Sequence, residues 1–467
     1  MIRFKNFIEY ITKVTVIIFL SSEISLADFD DGMEAINKGN YEQAIKKLKP
    51  LADQGDGRAQ FWYGNLIFNG LGTPKNMKLG IEFYRLSAEK NFPLALHELG
   101  HIYDNGLGVE QDIDEAINWY EKAITEGRVV YSYHNLGMIY QYGSKNIEVN
   151  VDKAIKLYEE AANQNYLGSI QNLGIIYHQI KDYDKALKWL NKAADLGLPQ
   201  ANYVLMEMYL NGDGVKQDFG EGIRLAKLAA DSGYYLAQHN LGRFYHFGLV
   251  GLEKDYKAAR KWYKLAANQG FSNSQVNLGI LYDDGLGGEV DDKEAIRFFK
   301  LAFDQQNATA AYRLGLMHEF GEGTPQNNEL ANEYYDYAIQ DDHPDALYRI
   351  AMLWKKMGIN QGKPQTLALY LAAQLKQIDA IFELGMTYYN GNEFLKPNPI
   401  YSLMWFMLAS NYHEQATKNR DVLIEELSED DVEKALKLQE RCYERDFQNC
   451  SDLLKGCLLY TSDAADE

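Results

Sequence analysis

A Leu-Gly pair returns along this chain at a nearly fixed interval: Leu99-Gly100, Leu136-Gly137, Leu173-Gly174, Leu241-Gly242, Leu278-Gly279, Leu314-Gly315 and Leu384-Gly385. Tyr63-Gly64, Leu205-Met206 and Ile350-Ala351 hold the register where the pair is altered. Neighbouring anchors lie 32 to 37 residues apart. A period of that length marks a small supersecondary unit that cannot bury its apolar face alone. Stacked units bury a continuous core, so the chain is constrained to a repeat array.

Each period reads as two helices. The first carries Ala-x-x-x-Leu-Gly-x-x-Tyr, as in Ala95, Leu99, Gly100 and Tyr103, which fall on one side of a helical wheel. A mid-helix glycine costs about 1 kcal/mol against alanine. Its recurrence implies a place where two helices cross too closely for a side chain. A Gly-x-Gly turn follows, as in Gly106-Leu107-Gly108 and Gly285-Leu286-Gly287. The second helix carries Ala-x-x-Trp/Tyr-Tyr-x-x-Ala, as in Ala116, Trp119, Tyr120 and Ala123. The scarcity of proline, 9 residues in 467, agrees with high helix content.

These strings, with AINWYEKAITEG after YDNGLGVEQD, resemble the Sel-one-like repeat, a relative of the tetratricopeptide repeat. The resemblance runs from about Ala59 to Ser410. It weakens at Met206, in the 174–206 unit that lacks its Gly-x-Gly turn, and near Gly358 to Pro364. It implies an all-α fold, an α/α superhelix of about ten two-helix repeats with a helical C-terminal cap. The expected organisation is a signal peptide (1–27), an opening helical pair (28–57), the repeat array (58–410) and the cap (411–456). The tail words WFMLAS and NRDVLIEELSEDDVEKALKL resemble those of exported bacterial members.

The first residues carry Arg3, Lys5 and Lys13, an apolar run Val14 to Leu20, and a small-x-small site at Ser25-Leu26-Ala27. That is the pattern of a secretory signal, and the apolar run is shorter than the roughly 20 residues a bilayer span needs. The expectation is an exported chain, periplasmic first and secreted second, with no membrane span after cleavage. Residues 457–467, CLLYTSDAADE, resemble a translated sequencing-library adapter, so the natural chain is expected to differ after Gly456. The formal charge is -19, which repels phosphate backbones and argues against nucleic acid. Cysteine occurs only at 442, 450 and 457. In an oxidising compartment Cys442 and Cys450 are a candidate disulfide, with free thiols as the alternative.

Three motifs hint at chemistry. His97-Glu98-Leu99-Gly100-His101 matches the H-E-x-x-H zinc-peptidase signature. Its central residues are the repeat anchor, and the His97 slot holds His134, His239 and Tyr203 elsewhere, so ordinary repeat variation produces it. Ser87-Ala88-Glu89-Lys90 matches S-x-x-K of penicillin-recognising enzymes without the partner signatures. Acidic loops such as Asp283-Asp284-Gly285 fail the spacing of a calcium-binding loop. No cofactor or metal is implied, and an envelope hydrolase or an adaptor of the endoplasmic-reticulum lumen stand only as alternatives.

The remaining signal is a surface. Three residues before each anchor come Phe61, His97, His134, Tyr203, His239, Tyr312, Tyr348 and Phe382; one residue after come His101, Met138, Arg243, Met352 and Met386. In related solenoids the first helices line the concave side. These aromatics and methionines are candidates to grip a protein or peptide partner. Packing between adjacent units is the competing reading of the first row.

Overall fold

The computed structural model describes residues 28–360, 362–448 and 450. The expected signal peptide and the adapter-like string lie outside the described residues. Among the described residues every regular element is a helix, and no helix is long and apolar enough to cross a membrane. The expected all-α array of two-helix pairs is what the structure shows.

The chain divides into two compact units, 1–225 and 226–467. In the first, a helix over residues 28–37 and the helix Tyr41–Asp53 open the array. The pairs Gly57–Asn69 with Met77–Ala88, Pro93–Asn105 with Ile113–Gly127, Val130–Tyr142 with Val151–Asn163, and Leu167–Gln179 with Tyr183–Asp195 follow, then Pro199–Asn211. In the second, Tyr235–Phe247 packs on Tyr256–Asn268, Ser272–Asp283 on Asp292–Phe303, Ala308–Phe320 on Asn328–Ile339, Pro344–Met357 on Lys363–Gln374, and Ile378–Asn390 on Pro399–Ala409. Between the two sets runs the helix Phe219–Asp231.

The anchor glycines are crossing points. A Cβ on Gly100 would lie 2.6 Å from the Tyr120 ring, on Gly137 2.7 Å from Tyr158, on Gly242 2.4 Å from Tyr263 and on Gly315 2.5 Å from Tyr335. Those tyrosine side chains are fully buried, and a close-packed interior gives them nowhere to retreat. Their hydroxyls are partnered, as buried hydroxyls must be. Tyr335 donates to Glu319 Oε2 at 2.7 Å, Tyr158 to Gln141 Oε1 at 2.7 Å and Tyr120 to Asp104 Oδ2 at 3.2 Å.

Second helices start on an Asn or Asp whose side chain accepts from the backbone N–H three residues on: Asn76, Asp112, Asn150, Asp255, Asp291, Asn327 and Asn398. Each satisfies one of the donors a helix start leaves open. The second glycine of the Gly-x-Gly turn lets that turn fold onto the preceding pair. A Cβ on Gly214 would meet Tyr183 Cβ at 2.3 Å, and one on Gly287 would meet Tyr256 O at 2.4 Å. The 174–206 unit lacks the motif because its connection is only Ile180 to Asp182, with Lys181 in the left-handed region at φ 63.

At the C-terminal end the helices Glu414–Glu426 and Glu429–Glu444 pack on Pro399–Ala409. Residues Ser402 to Ala409 are consequently buried without interruption. Beyond them Cys442 and Cys450 are joined by a disulfide, Cα to Cα 4.7 Å, both side chains buried.

Candidate functional site

The two rows flanking the anchor are not uniform. Phe61, expected on the open face, is only 4% exposed. Trp62, Tyr84 and Phe92 surround its ring at centroid distances of 5.1 to 5.5 Å, so it is core and not surface. His97, His134, Tyr203, His239, Tyr312, Tyr348 and Phe382 are half-buried. The Phe382 ring stacks on His413 at 4.1 Å and the Tyr312 ring on His343 at 4.6 Å. In the second row Met138 and Arg243 are exposed, while His101, Met352 and Met386 are half-buried. Met386 takes a contact from Asn419 Nδ2 to its sulfur at 3.3 Å.

The three histidines of the first row do the same thing. His97 Nδ1 hydrogen-bonds Ser132 Oγ at 2.9 Å, His134 Nδ1 bonds Ser169 Oγ at 2.9 Å, and His239 Nδ1 bonds Ser274 Oγ at 2.8 Å. Each serine is a buried residue of the next pair's first helix. Where the slot holds another residue, the next pair offers alanine: Phe61 with Ala95, Val276 with Ala310, Tyr312 with Ala346, Tyr348 with Ala380. The histidines are therefore ties between neighbouring pairs. This coupling was readable from the sequence by comparing periods, and local motif reading passes over it. Burial pushes each of the three imidazoles down to about 4, with His101 adding to the effect on His97 and Arg243 on His239.

Residues of the H-E-x-x-H string take part in the repeat packing. His97 is held by Ser132, its ring 5.6 Å from Tyr120 and 5.8 Å from Tyr131. Leu99 and Gly100 are buried at the crossing, and burial raises the Glu98 carboxyl above its ordinary value. Among the described residues no group of three His, Cys, Asp or Glu is placed to hold a metal ion. Ser87 of the S-x-x-K string is buried and donates to Gly57 O at 2.5 Å, which spends its hydroxyl on packing.

The class follows from these facts: a helical repeat array whose recurring residues are committed to holding its own pairs together. The chain belongs to the Sel1 repeat family, which matches at residues 57–92, 93–127, 130–166, 164–198, 199–234, 236–271, 272–307, 308–343 and 378–411. Its fold is similar to that of a protective antigen of uropathogenic Escherichia coli strains displaying an SLR fold. There the TM-score is 0.54 at 24% identity, over 88% of this chain and 97% of that one. A Sel1 repeat protein from Oxalobacter formigenes is similar with TM-score 0.53 at 30% identity, over 65% of this chain and 88% of its own. The chitin synthase regulator SKT5 of Saccharomyces cerevisiae is 26% identical over 255 residues, 51% of this chain and 36% of that protein. Chitin synthase regulatory factor 3 of Schizosaccharomyces pombe is 26% identical over 179 residues, 36% of this chain and 19% of that protein. The chain thus spans about a third or less of the length of these curated relatives.

Proposed function

We propose that this chain is a non-enzymatic scaffold of a bacterial cell envelope, exported to the periplasm or secreted, that binds protein or peptide partners along its first helices. The observation that carries this reading is the contrast at each anchor. The anchor residue is wholly buried, while the residue one step on is exposed as Met138 or Arg243 and half-open as Met352 or Met386. Methionine and arginine are side chains that interfaces favour. Export is supported by the basic, apolar and small-x-small pattern of residues 1–27. The yeast relatives are named as regulators, and holding another protein is a regulator's task; the enzyme in their names belongs to those proteins.

The test is affinity capture from the native organism with the full chain and with an Arg243→Glu, Met352→Glu variant. Capture of a discrete partner by the parent, lost in the variant at unchanged melting temperature, supports the reading. The same proteins on both, or no specific partner, refutes it.

A further inference from the structure

The turn of pair Val130–Tyr142 with Val151–Asn163 departs from the Gly-x-Gly rule: it carries Gly143-Ser144-Lys145 where the preceding pair carries Gly106-Leu107-Gly108. Gly143 adopts φ 69, ψ -176, against φ 65, ψ 36 at Gly106. The turn then closes on itself, with Ser144 N donating to Ile147 O at 2.9 Å and Ile147 N to Ser144 O at 3.2 Å. Elsewhere the second glycine touches the start of the preceding pair's second helix; a Cβ on Gly108 would lie 3.0 Å from Met77 Cβ. Lys145 occupies that slot here, and the turn stands away from the start of Ile113–Gly127. A cleft of about 940 Å³ opens between residues 109–114 and 142–146. The other turn of this kind, Gly391-Asn392-Glu393, is tied down, since Asn392 Nδ2 donates to Thr366 Oγ1 at 2.9 Å.

The cleft has a definite chemistry. One wall is apolar and open: Tyr142 is 67% exposed and Met138, one helical turn away, 40%. Facing them are Asp104, Glu110, Asp112 and Asp114, against a single cation, Lys145. Among the described residues none of these four carboxylates has an ion-pair partner. Asp104 lies half-buried, one oxygen taking the Tyr120 hydroxyl at 3.2 Å, and burial raises its carboxyl above the ordinary range. A partly desolvated carboxylate favours a cation, which gains a charge-assisted hydrogen bond there. The volume exceeds one side chain and falls within the range of a bound ligand segment.

We infer that this cleft receives an extended segment of a protein partner in which arginine or lysine alternates with apolar residues. The cation meets Asp104 and the acidic rim, and the apolar side chain lies on Tyr142 and Met138. The inference rests on the scaffold reading above and adds to it a place and a partner chemistry.

The experiment uses the full chain and fluorescein-labelled decapeptides in fluorescence anisotropy at about 0.15 M salt, where long-range attraction is screened. Alternating arginine–leucine is the probe, with glutamate–leucine and arginine–serine as references. The expected order is arginine–leucine tightest, arginine–serine weaker, and glutamate–leucine not bound. Glu110→Lys with Asp114→Asn should weaken the arginine–leucine probe by roughly ten-fold or more, the effect of reversing interfacial charges. Tyr142→Ser should weaken it while leaving arginine–serine unchanged. All three residues are exposed, and an unchanged melting temperature confirms folding. Glu425→Lys with Glu426→Gln makes the same change of net charge on a helix outside the cleft and should leave binding unchanged. Equal weakening by the cleft variant and this one overturns the inference, since general acidity would then explain binding. So does an arginine–serine peptide bound as tightly as arginine–leucine. Partner capture kept by the Glu110→Lys, Asp114→Asn variant, with no peptide binding in the parent, would sink the cleft and leave the scaffold standing.

Discussion

The tie between His134 and Ser169 makes a quantitative prediction. Burial alone holds the His134 imidazole at about 4, against an ordinary 6.5. Its surroundings are the Tyr158 and Tyr166 rings, 5.6 and 4.8 Å away, and the Ser169 hydroxyl. The folded value is depressed, so the proton prefers the unfolded chain. Above pH 6.5 both states are neutral and the tie contributes in full. Stability falls as pH drops through 6.5, and the loss levels off below about 4. At pH 5 the loss from this one residue is about 2 kcal/mol. Other pairs show what removes it, because Tyr312 meets Ala346 in the same two slots. The double substitution His134→Tyr, Ser169→Ala adds ring volume at a half-buried site and should cost no more than about 1–3 kcal/mol at pH 7, the range for added core volume. Between pH 7 and 5 it should lose about 2 kcal/mol less than the parent does. Ser169→Ala alone leaves a buried ring nitrogen unpaired and should cost about 1–3 kcal/mol. Urea denaturation followed by circular dichroism at both pH values reads all of these. Carboxylates titrate alike in both proteins and cancel. Equal losses in the parent and the double variant would refute the tie.

Further tests follow from the same packing. Gly315→Ala drives a methyl to 2.5 Å from the Tyr335 ring; overpacking of about 1–3 kcal/mol, less about 1 kcal/mol of helix propensity, leaves a net loss of about 0–2 kcal/mol, read by urea denaturation. Ala351→Gly in the same register should also destabilise, by about 1–2 kcal/mol, because a buried methyl is lost and helix propensity falls. Thiol labelling with peptide mapping of the oxidised protein should find Cys442 and Cys450 protected, and reducing that short loop should cost about 2–3 kcal/mol in the chain-entropy account; free thiols there would refute the bridge. Metal analysis of the purified chain should find no stoichiometric zinc; one zinc per chain with peptidase activity lost in Glu98→Gln would overturn the scaffold assignment.

The array was legible because its determinants share one period. Gly100 and Tyr120, or Gly315 and Tyr335, are each a local signal, and their recurrence states that something must fit closely at that place. Phe61 was misread for a related reason. Its slot is half-open in later pairs, but Trp62 and Phe92 close over it here. The His–Ser ties needed residues 35 apart to be compared across pairs. The cleft at Lys145 was hidden more deeply. The meaning of the second glycine lies in what it touches, and a sequence shows only that it has been replaced.

The pair Pro344–Met357 with Lys363–Gln374 shows what the motif stands for. The family match passes over it, leaving 344–377 uncovered, and its anchor is Ile350-Ala351. Yet Ala351 and Tyr370 are both fully buried in one cluster with Leu347, Leu369 and Leu384, as are Gly100 with Tyr120 and Gly315 with Tyr335 in their pairs. The helix ends on Gly358 in the left-handed region at φ 71, and the next begins without the Asn or Asp cap used elsewhere, with Pro364 in its first turn. Proline there sacrifices only a donor that a helix start leaves open. What this pair retains is a small buried residue in its first helix, a buried aromatic in its second and a chain reversal between. The glycine signature is one way of meeting that requirement, and the alanine at 351 is another.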